Sequence, residues 1–395
     1  MAVAEKVRQF TSSPISRMTT LSDEYGAIDL SQGMPDFDPP SQLIEAAVNA
    51  IRHGSNQYAT SCGQAELREG IARKLKEYNR IEANPEKDIT VTCGATEAIT
   101  AAVLALTNPG EGVVVTEPFF ESYVPAAILA GSHATYVPFV GRHLTLDEEN
   151  LKDAMEKRPK LIILNTPNNP TGKMLDSEQL KLIADLCEEQ EVIAIVDEIY
   201  EHITYDGKKH VSLATVGNMH ERTVTVSGAS KTYSVTGWRV GWAIAEARLS
   251  DAVRKVHDYI TGGAPRPFQE GLITAVNFPR SYYERLADMY DKKRRRLMKA
   301  LDEVGIEYHR PEGAYFILMN APDTFRNGED FTDHLLREAR IAALPAKALY
   351  HDKNLGERKV RLAFCKKDVT LQEAARRLKK WILRPKPKLT TKARP

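Results

Sequence analysis

The sequence predicts an α/β protein: a mostly parallel sheet sandwiched by helices, with a smaller α+β domain. Three observations predict it. From about residue 89 to 245, short β-branched runs alternate with amphipathic stretches of helix length. The runs are almost continuously apolar, as strands covered on both faces must be. After about residue 281 the texture changes to a long charged helix pattern followed by mixed strands and helices. With 395 residues, 42% hydrophobic and 27% charged, the chain has material for a large core.

In chain order, residues 1–44 are expected as an N-terminal arm and part of the small domain, 45–283 as the large domain, 284–384 as the small C-terminal domain, and 385–395 as a basic flexible tail. The strand runs of the large domain are ITVTC (89–93), VVVT (113–116), KLIILN (160–165), VIAIVD (192–197), TVTVS (223–227) and RVGWAIA (239–245). Asp176 followed by Gln179 three residues later signals a capped helix start before LKLIADL. Residues 282–304 carry apolar positions at helical spacing, bridging to the second domain. There, 312–320 and 359–365 read as strands and 331–339 and 371–383 as helices. The basic run Lys292, Lys293, Arg294, Arg295 and Arg296 is expected on a solvated helix face.

Charge is balanced, with 54 Lys and Arg against 53 Asp and Glu, which favours neither nucleic acid nor a membrane surface as partner. A small-molecule enzyme fits better. Cys62, Cys93, Cys187 and Cys365 are far apart, without C-x-x-C spacing, so a reducing, cytoplasmic setting is expected and a metal site is not. The N-terminus has no apolar leader segment, and no run approaches the roughly 18 apolar residues of a membrane helix.

Four segments end strands with chemically useful groups. In SGASKTYSVTGWRVGW (227–242), Lys231 sits among small residues and Arg239 follows eight positions later. A lysine with an ordinary pKa near 10.4 is a poor nucleophile, so a reactive one needs burial or cationic neighbours. By itself a lysine in such a loop is also compatible with a solvated turn, and the case rests on its company. Asp197 ends an Ile/Val strand, where a buried carboxylate must be paired or protonated; a pyridinium nitrogen is one such partner. Tyr200 lies three residues on. VTCGATEAI (91–99) is a strand, Gly94, then a helix opening at Ala95 and Thr96, whose free N–H groups suit a phosphate. LNTPNNPTG (164–172) holds Asn169 between Pro167 and Pro170, which restrict the backbone.

Taken together the segments resemble the fold-type I, class I aminotransferases that use pyridoxal 5′-phosphate (PLP). The likeness runs from LSQGMPDFDPP (30–40) to VRLAFC (360–365). Through SQGMPDFDPP, NQYA, GATEAI, EPFFESY, NTPNNPTG, DEIYEHI and RKVHDYIT it looks closest to the kynurenine, glutamine and methionine aminotransferase branch. The resemblance implies that Lys231 carries PLP as a Schiff base and shuttles a proton, and that Asp197 binds the pyridine nitrogen. It implies that Tyr200 and Asn169 hold the phenolic oxygen, that Gly94, Ala95, Thr96, Ser227 or Ser230, and Arg239 seat the phosphate, and that Phe120 stacks on the ring. Tyr58 is expected to reach the cofactor of a neighbouring subunit, making a homodimer. Arg361, with the Gly33 backbone, is expected to clamp the substrate α-carboxylate. Two departures stand out. Gly228 occupies the position three before the lysine where many relatives have serine, and the partner-subunit loop that borders the substrate pocket in relatives, often Ser-x-Asn-Thr, is here TGGAPRP (261–267).

The implied activity is ping-pong transfer of an amino group between an L-amino acid and a 2-oxo acid. Tyr123, with Phe120 and Tyr25, is expected to wall the substrate pocket, favouring Met, Gln, aromatic amino acids or kynurenine; Arg266 would instead suit the second carboxylate of Asp or Glu. A β-lyase acting on cysteine S-conjugates uses the same cofactor chemistry. A non-catalytic PLP-binding sensor would need a DNA-binding domain ahead of this pattern, which begins within about 30 residues of the start. No G-x-G-x-x-G follows a strand, which disfavours a dinucleotide-binding enzyme.

Overall fold

The computed structural model describes residues 3–382, so the tail expected at 385–395 lies outside the described residues. The large sheet has eight strands, in the spatial order Ile89–Thr92, Gly241–Ile244, Thr223–Gly228, Ile193–Asp197, Leu161–Asn165, Gly112–Glu117, His133–Val140, Thr145–Leu146. The five strands from Thr223–Gly228 to His133–Val140 run parallel, and the flanking pairings are antiparallel. Each expected run forms a strand. Parallel strands need helices on both faces because each crossover lays one there. Accordingly Ile162, Leu164 and Val196 pack into one apolar cluster and Leu161, Ile163 and Ile195 into another. His133–Val140 and Thr145–Leu146 were not among the expected strands.

The helix start at Asp176 is a full capping box: its carboxylate accepts from the backbone N–H groups of Glu178 and Gln179, and Gln179 reaches back to the Asp176 N–H. In the smaller domain Phe316–Asn320 and Lys359–Ala363 pair antiparallel within a four-stranded sheet. The arm joins this domain through Ile28–Asp29, which pairs with Ile341–Ala342. The 23-residue helix Arg280–Asp302 ties the two parts together. Tyr283 near its start packs among large-domain residues, whereas Tyr290, Leu297 and Leu301 pack into the small-domain core.

The basic run on that helix is not one solvated face. Arg294 is buried, bonded to Asp206, Asp291 and the Pro311 carbonyl, and Lys293 is buried against the Lys366 carbonyl and Asp368. With Arg296 paired to Asp368 at 2.8 Å, three cations of the five therefore knit the helix to the rest of the fold. None of the helices among the described residues is long and apolar enough to cross a membrane.

Candidate active site

The carboxyl ends of the parallel strands open on a cleft of about 390 Å³. In open α/β sheets this is the edge where ligands bind, because loops diverge there and helix N-termini point inward. Strand register brings the key side chains together: Asn165 stands opposite Asp197, and Asp197 opposite Val226, on the strand that leads to Lys231. The cleft is lined by Gly33, Ala95, Thr96, Phe120, Asn169 and Asp197 from one set of expected residues, and by Tyr200, Ser230, Lys231, Arg239 and Arg361 from the other.

Asp197 is buried and accepts hydrogen bonds from the Tyr123 hydroxyl at 2.7 Å and the Ile199 N–H at 3.2 Å. Loss of hydration raises its pKa to about 6, against the pull of the Tyr123 bond. Lys231 lies in the helical turn Ala229–Thr232, donates to the Gly33 carbonyl at 3.2 Å and sits 5.7 Å from the Tyr315 ring centre. Its pKa is lowered to about 8, mainly by desolvation, with Arg361 and Arg239 adding to the effect and Cys365 and Asp197 opposing it. Burial also pushes the Tyr200 hydroxyl well above its usual range, with the Asp197 charge acting the same way.

Arg361 enters from the small-domain strand Lys359–Ala363 and crosses to the large domain, where Nη1 donates to Asn169 Oδ1 at 2.7 Å. Nη2 donates to the Ser31 carbonyl, the guanidinium lies 4.4 Å from the Phe316 ring centre, and buried Nε has no protein partner among the described residues. Because Asn169 Oδ1 is taken, the group its carboxamide can offer a ligand is the NH2. At the other end, the helix Ala95–Leu106 begins with no side-chain cap, leaving its first N–H groups for an anion. Gly94, at φ +85°, packs so closely on Arg239 that a Cβ would stand 2.5 Å from Nη2. A Cβ on Gly241 would stand 2.5 Å from the Ala95 nitrogen. These two glycines let a guanidinium and a helix N-terminus converge.

A match to the family described as aminotransferase class I and II spans residues 25–378. The chain belongs to this family. A solved structure of N-succinyldiaminopimelate aminotransferase from Mycobacterium tuberculosis is 36% identical, with a TM-score of 0.93, over 96% of this chain and 100% of that one. The methionine aminotransferase of Escherichia coli is 36% identical over 95% of this chain and 97% of its own length. An aspartate aminotransferase of Pyrococcus abyssi is 36% identical over 99% and 100%. This aminotransferase is therefore a PLP-dependent enzyme of fold type I, acting on amino acids and 2-oxo acids. Its residues fit the cofactor: an uncapped helix start beside an arginine suits a phosphate, and a desolvated carboxylate suits a pyridinium.

Several expected positions are corrected in the aminotransferase. Ser227 does not face the cleft; its Oγ donates to buried Glu201 at 2.7 Å, and Ser230 is the one of the two that lines the cleft. Tyr123 is not a pocket wall but lies buried behind Asp197. Tyr25 packs against the guanidinium groups of Arg337 and Arg340, away from the cleft. Tyr58 is 90% exposed on the single chain.

Other cleft residues were not expected. Buried Tyr315, just behind the lining, donates to the Gly33 carbonyl at 2.8 Å, fixing the segment that Lys231 also contacts. Ile15 and Ser16 arrive from the helix Pro14–Glu24, and Gln32, Met34 and Glu121 complete the outer wall. Behind Tyr200, Glu201 gathers Lys74, Asn79 and Ser227 around one buried carboxylate. The motifs SQGMPDFDPP, EPFFESY and DEIYEHI hold Gln32 and Met34, Glu121, and Glu201 directly beside expected residues.

Proposed function

We propose that this aminotransferase prefers neutral L-amino acids as donors, namely methionine, glutamine, aromatic amino acids and kynurenine, and works as a cytoplasmic homodimer by a ping-pong mechanism. The observation that supports the substrate reading is the apolar part of the cleft lining, where Ile15, Met34, Ile99, Phe120 and Phe316 offer apolar surface to a side chain.

In this reading Arg361 binds the α-carboxylate through its fork, held in place by Asn169 and the Ser31 carbonyl. Gly33 contributes its backbone beside it. Ala95, Thr96, Ser230 and Arg239 hold the cofactor's phosphate, Gly94 making room for Arg239, and Phe120 stacks on the ring. Asp197 holds the pyridine nitrogen protonated, with Tyr123 keeping the carboxylate in place. PLP, when bound, supplies the electron sink that lets the substrate lose its α-proton. Lys231 Nζ takes that proton, a task suited to an amine whose pKa has been brought down to about 8. Tyr200 and the NH2 of Asn169 hold the phenolic oxygen.

The exposure of Tyr58 supports its service to a second subunit. The four cysteines are unpaired, which supports a reducing compartment. The test of substrate class is the single-turnover reaction of the PLP form with each common amino acid, followed by loss of the lysine-bound cofactor's absorbance. Faster reaction with aspartate than with methionine, glutamine and phenylalanine would overturn the preference. A fully active monomer in solution would overturn the dimer.

A further inference from the structure

We propose that Glu121, with Gln32, selects the substrate side chain: the carboxylate accepts from an N–H at the end of a neutral side chain, a carboxamide above all, and turns away one ending in a carboxylate. This deepens the reading of the cleft given above and rests on it. Glu121 lies in the turn between the strand Gly112–Glu117 and the helix Tyr123–Leu129, directly after Phe120, and lines the same cleft as Lys231 and Arg361.

Its two oxygens differ. Oε1 accepts from the Ser13 hydroxyl at 2.7 Å, which fixes the side chain against the N-terminal arm. Oε2 is buried and has no hydrogen-bond partner among the described residues. A carboxylate oxygen shut away from water without a donor is costly, and buried polar groups are as a rule satisfied. A ligand donor entering the cleft supplies what the protein omits. The charge of Glu121 also acts on the Arg361 guanidinium, so the two face the same space from opposite signs of charge.

Gln32 makes the match more specific. Its Oε1 accepts from the Thr19 hydroxyl at 3.0 Å, so toward the cleft the amide has its NH2 to give. A carboxamide side chain carries both complements, an NH2 for Glu121 and an oxygen for Gln32. A carboxylate side chain supplies no donor, leaves Oε2 unpaired and adds a like charge, which a site built for hydrogen bonding rejects strongly.

The experiment compares the holoenzyme with Glu121→Gln and Ser13→Ala, each checked for the absorbance of lysine-bound cofactor. Single-turnover kcat/KM is measured for glutamine, glutamate and methionine, and equilibrium binding for α-methylglutamine and α-methylglutamate, which have no α-proton to lose. In the wild type glutamine and its analogue are preferred over glutamate and its analogue. In Glu121→Gln that preference falls by about tenfold or more in both readouts, the scale of one hydrogen bond to a charged group. In Ser13→Ala, where Oε1 is freed, it falls by a smaller factor. Preferences within twofold of wild type in both variants, or a wild type favouring glutamate while turning over methionine, overturn the role of Glu121. A wild type that transaminates none of the three overturns the broader substrate reading instead.

Discussion

Lys74→Met removes one half of an ion pair that is sealed from solvent, and its cost follows from the geometry. Lys74 Nζ lies 2.7 Å from Glu201 Oε1, with side-chain exposures of 1% and 2%. Removing one partner of a buried pair costs about 3–5 kcal/mol, because the remaining charge is left without compensation. Glu201 keeps donors from Asn79 at 2.5 Å and Ser227 at 2.7 Å, so the lower end, about 3 kcal/mol, is expected. Glu201→Leu strands the lysine instead and costs a similar amount. In the double variant the charges are gone, and the loss shrinks to about 2 kcal/mol, roughly 1 for each of the two donors left without an acceptor. The coupling is then about 4 kcal/mol, far from additive. Urea midpoints and slopes of the four proteins measure it. The sign with pH is also set. Desolvation works against the Glu201 charge, but Lys74 and its neighbours hold the carboxyl well below the usual range. Its contribution is therefore complete above the ordinary glutamate value of about 4.3 and is lost only in strong acid. The gap between wild type and Lys74→Met should stay level from about pH 5 to 8 and narrow below. An additive double variant, or a Lys74→Met cost under about 1 kcal/mol, refutes this reasoning.

Other outcomes are equally specific. Capture of PLP by the cofactor-free enzyme should accelerate with pH around a midpoint near 8, because Lys231 reacts as the free amine; a midpoint near 10, by stopped-flow absorbance, would contradict the desolvated lysine. Tyr123→Phe removes a donor that favours the charged form of Asp197, so that carboxyl should titrate above its present value of about 6, by about one to two units. Carbon NMR of labelled aspartate, assigned with Asp197→Asn, reads the shift, and an unmoved titration counts against the bond. Gly94→Ala combines φ +85° with a Cβ 2.5 Å from Arg239. Strain of about 1–3 kcal/mol should weaken PLP retention by roughly tenfold or more, measured by dialysis.

Lys231, Asp197, Asn169 and Arg239 were legible because each stands in a local pattern, a strand end with glycine, proline or small residues, that fixes its place in the crevice. Side-chain direction was less legible. Ser227 and Ser230 are three apart, and which one meets the cleft depends on where the strand Thr223–Gly228 gives way to the turn at Ala229. Tyr123 reads as an aromatic wall in sequence, yet the start of its helix turns it under Asp197. Gln32 and Glu121 stand inside quoted motifs, beside Gly33 and Phe120, but that they and Tyr315 come together is seen only when the arm and small domain dock. Lys293 and Arg294 look solvated because their acceptors, the Lys366 carbonyl and Asp206, lie far away in the chain. The strand His133–Val140 escaped notice because its burial is incomplete and Pro138 interrupts the β-branched pattern.

The helix Arg280–Asp302 has a mechanical consequence. At 1.5 Å per residue it is a rod about 35 Å long, and Tyr283 and Leu301 are separated along it by about 27 Å. With Tyr283 as pivot among the large-domain aromatics, a tilt of about 5° would sweep the Leu301 end through about 2 Å, carrying the small-domain core with it. Arg361 rides on that core while Asn169 stays with the large sheet. A small rotation at one end of this lever would thus change the spacing between Arg361 and Asn169 at the other, and the buried Lys293 and Arg294 contacts are the bolts that keep the lever stiff.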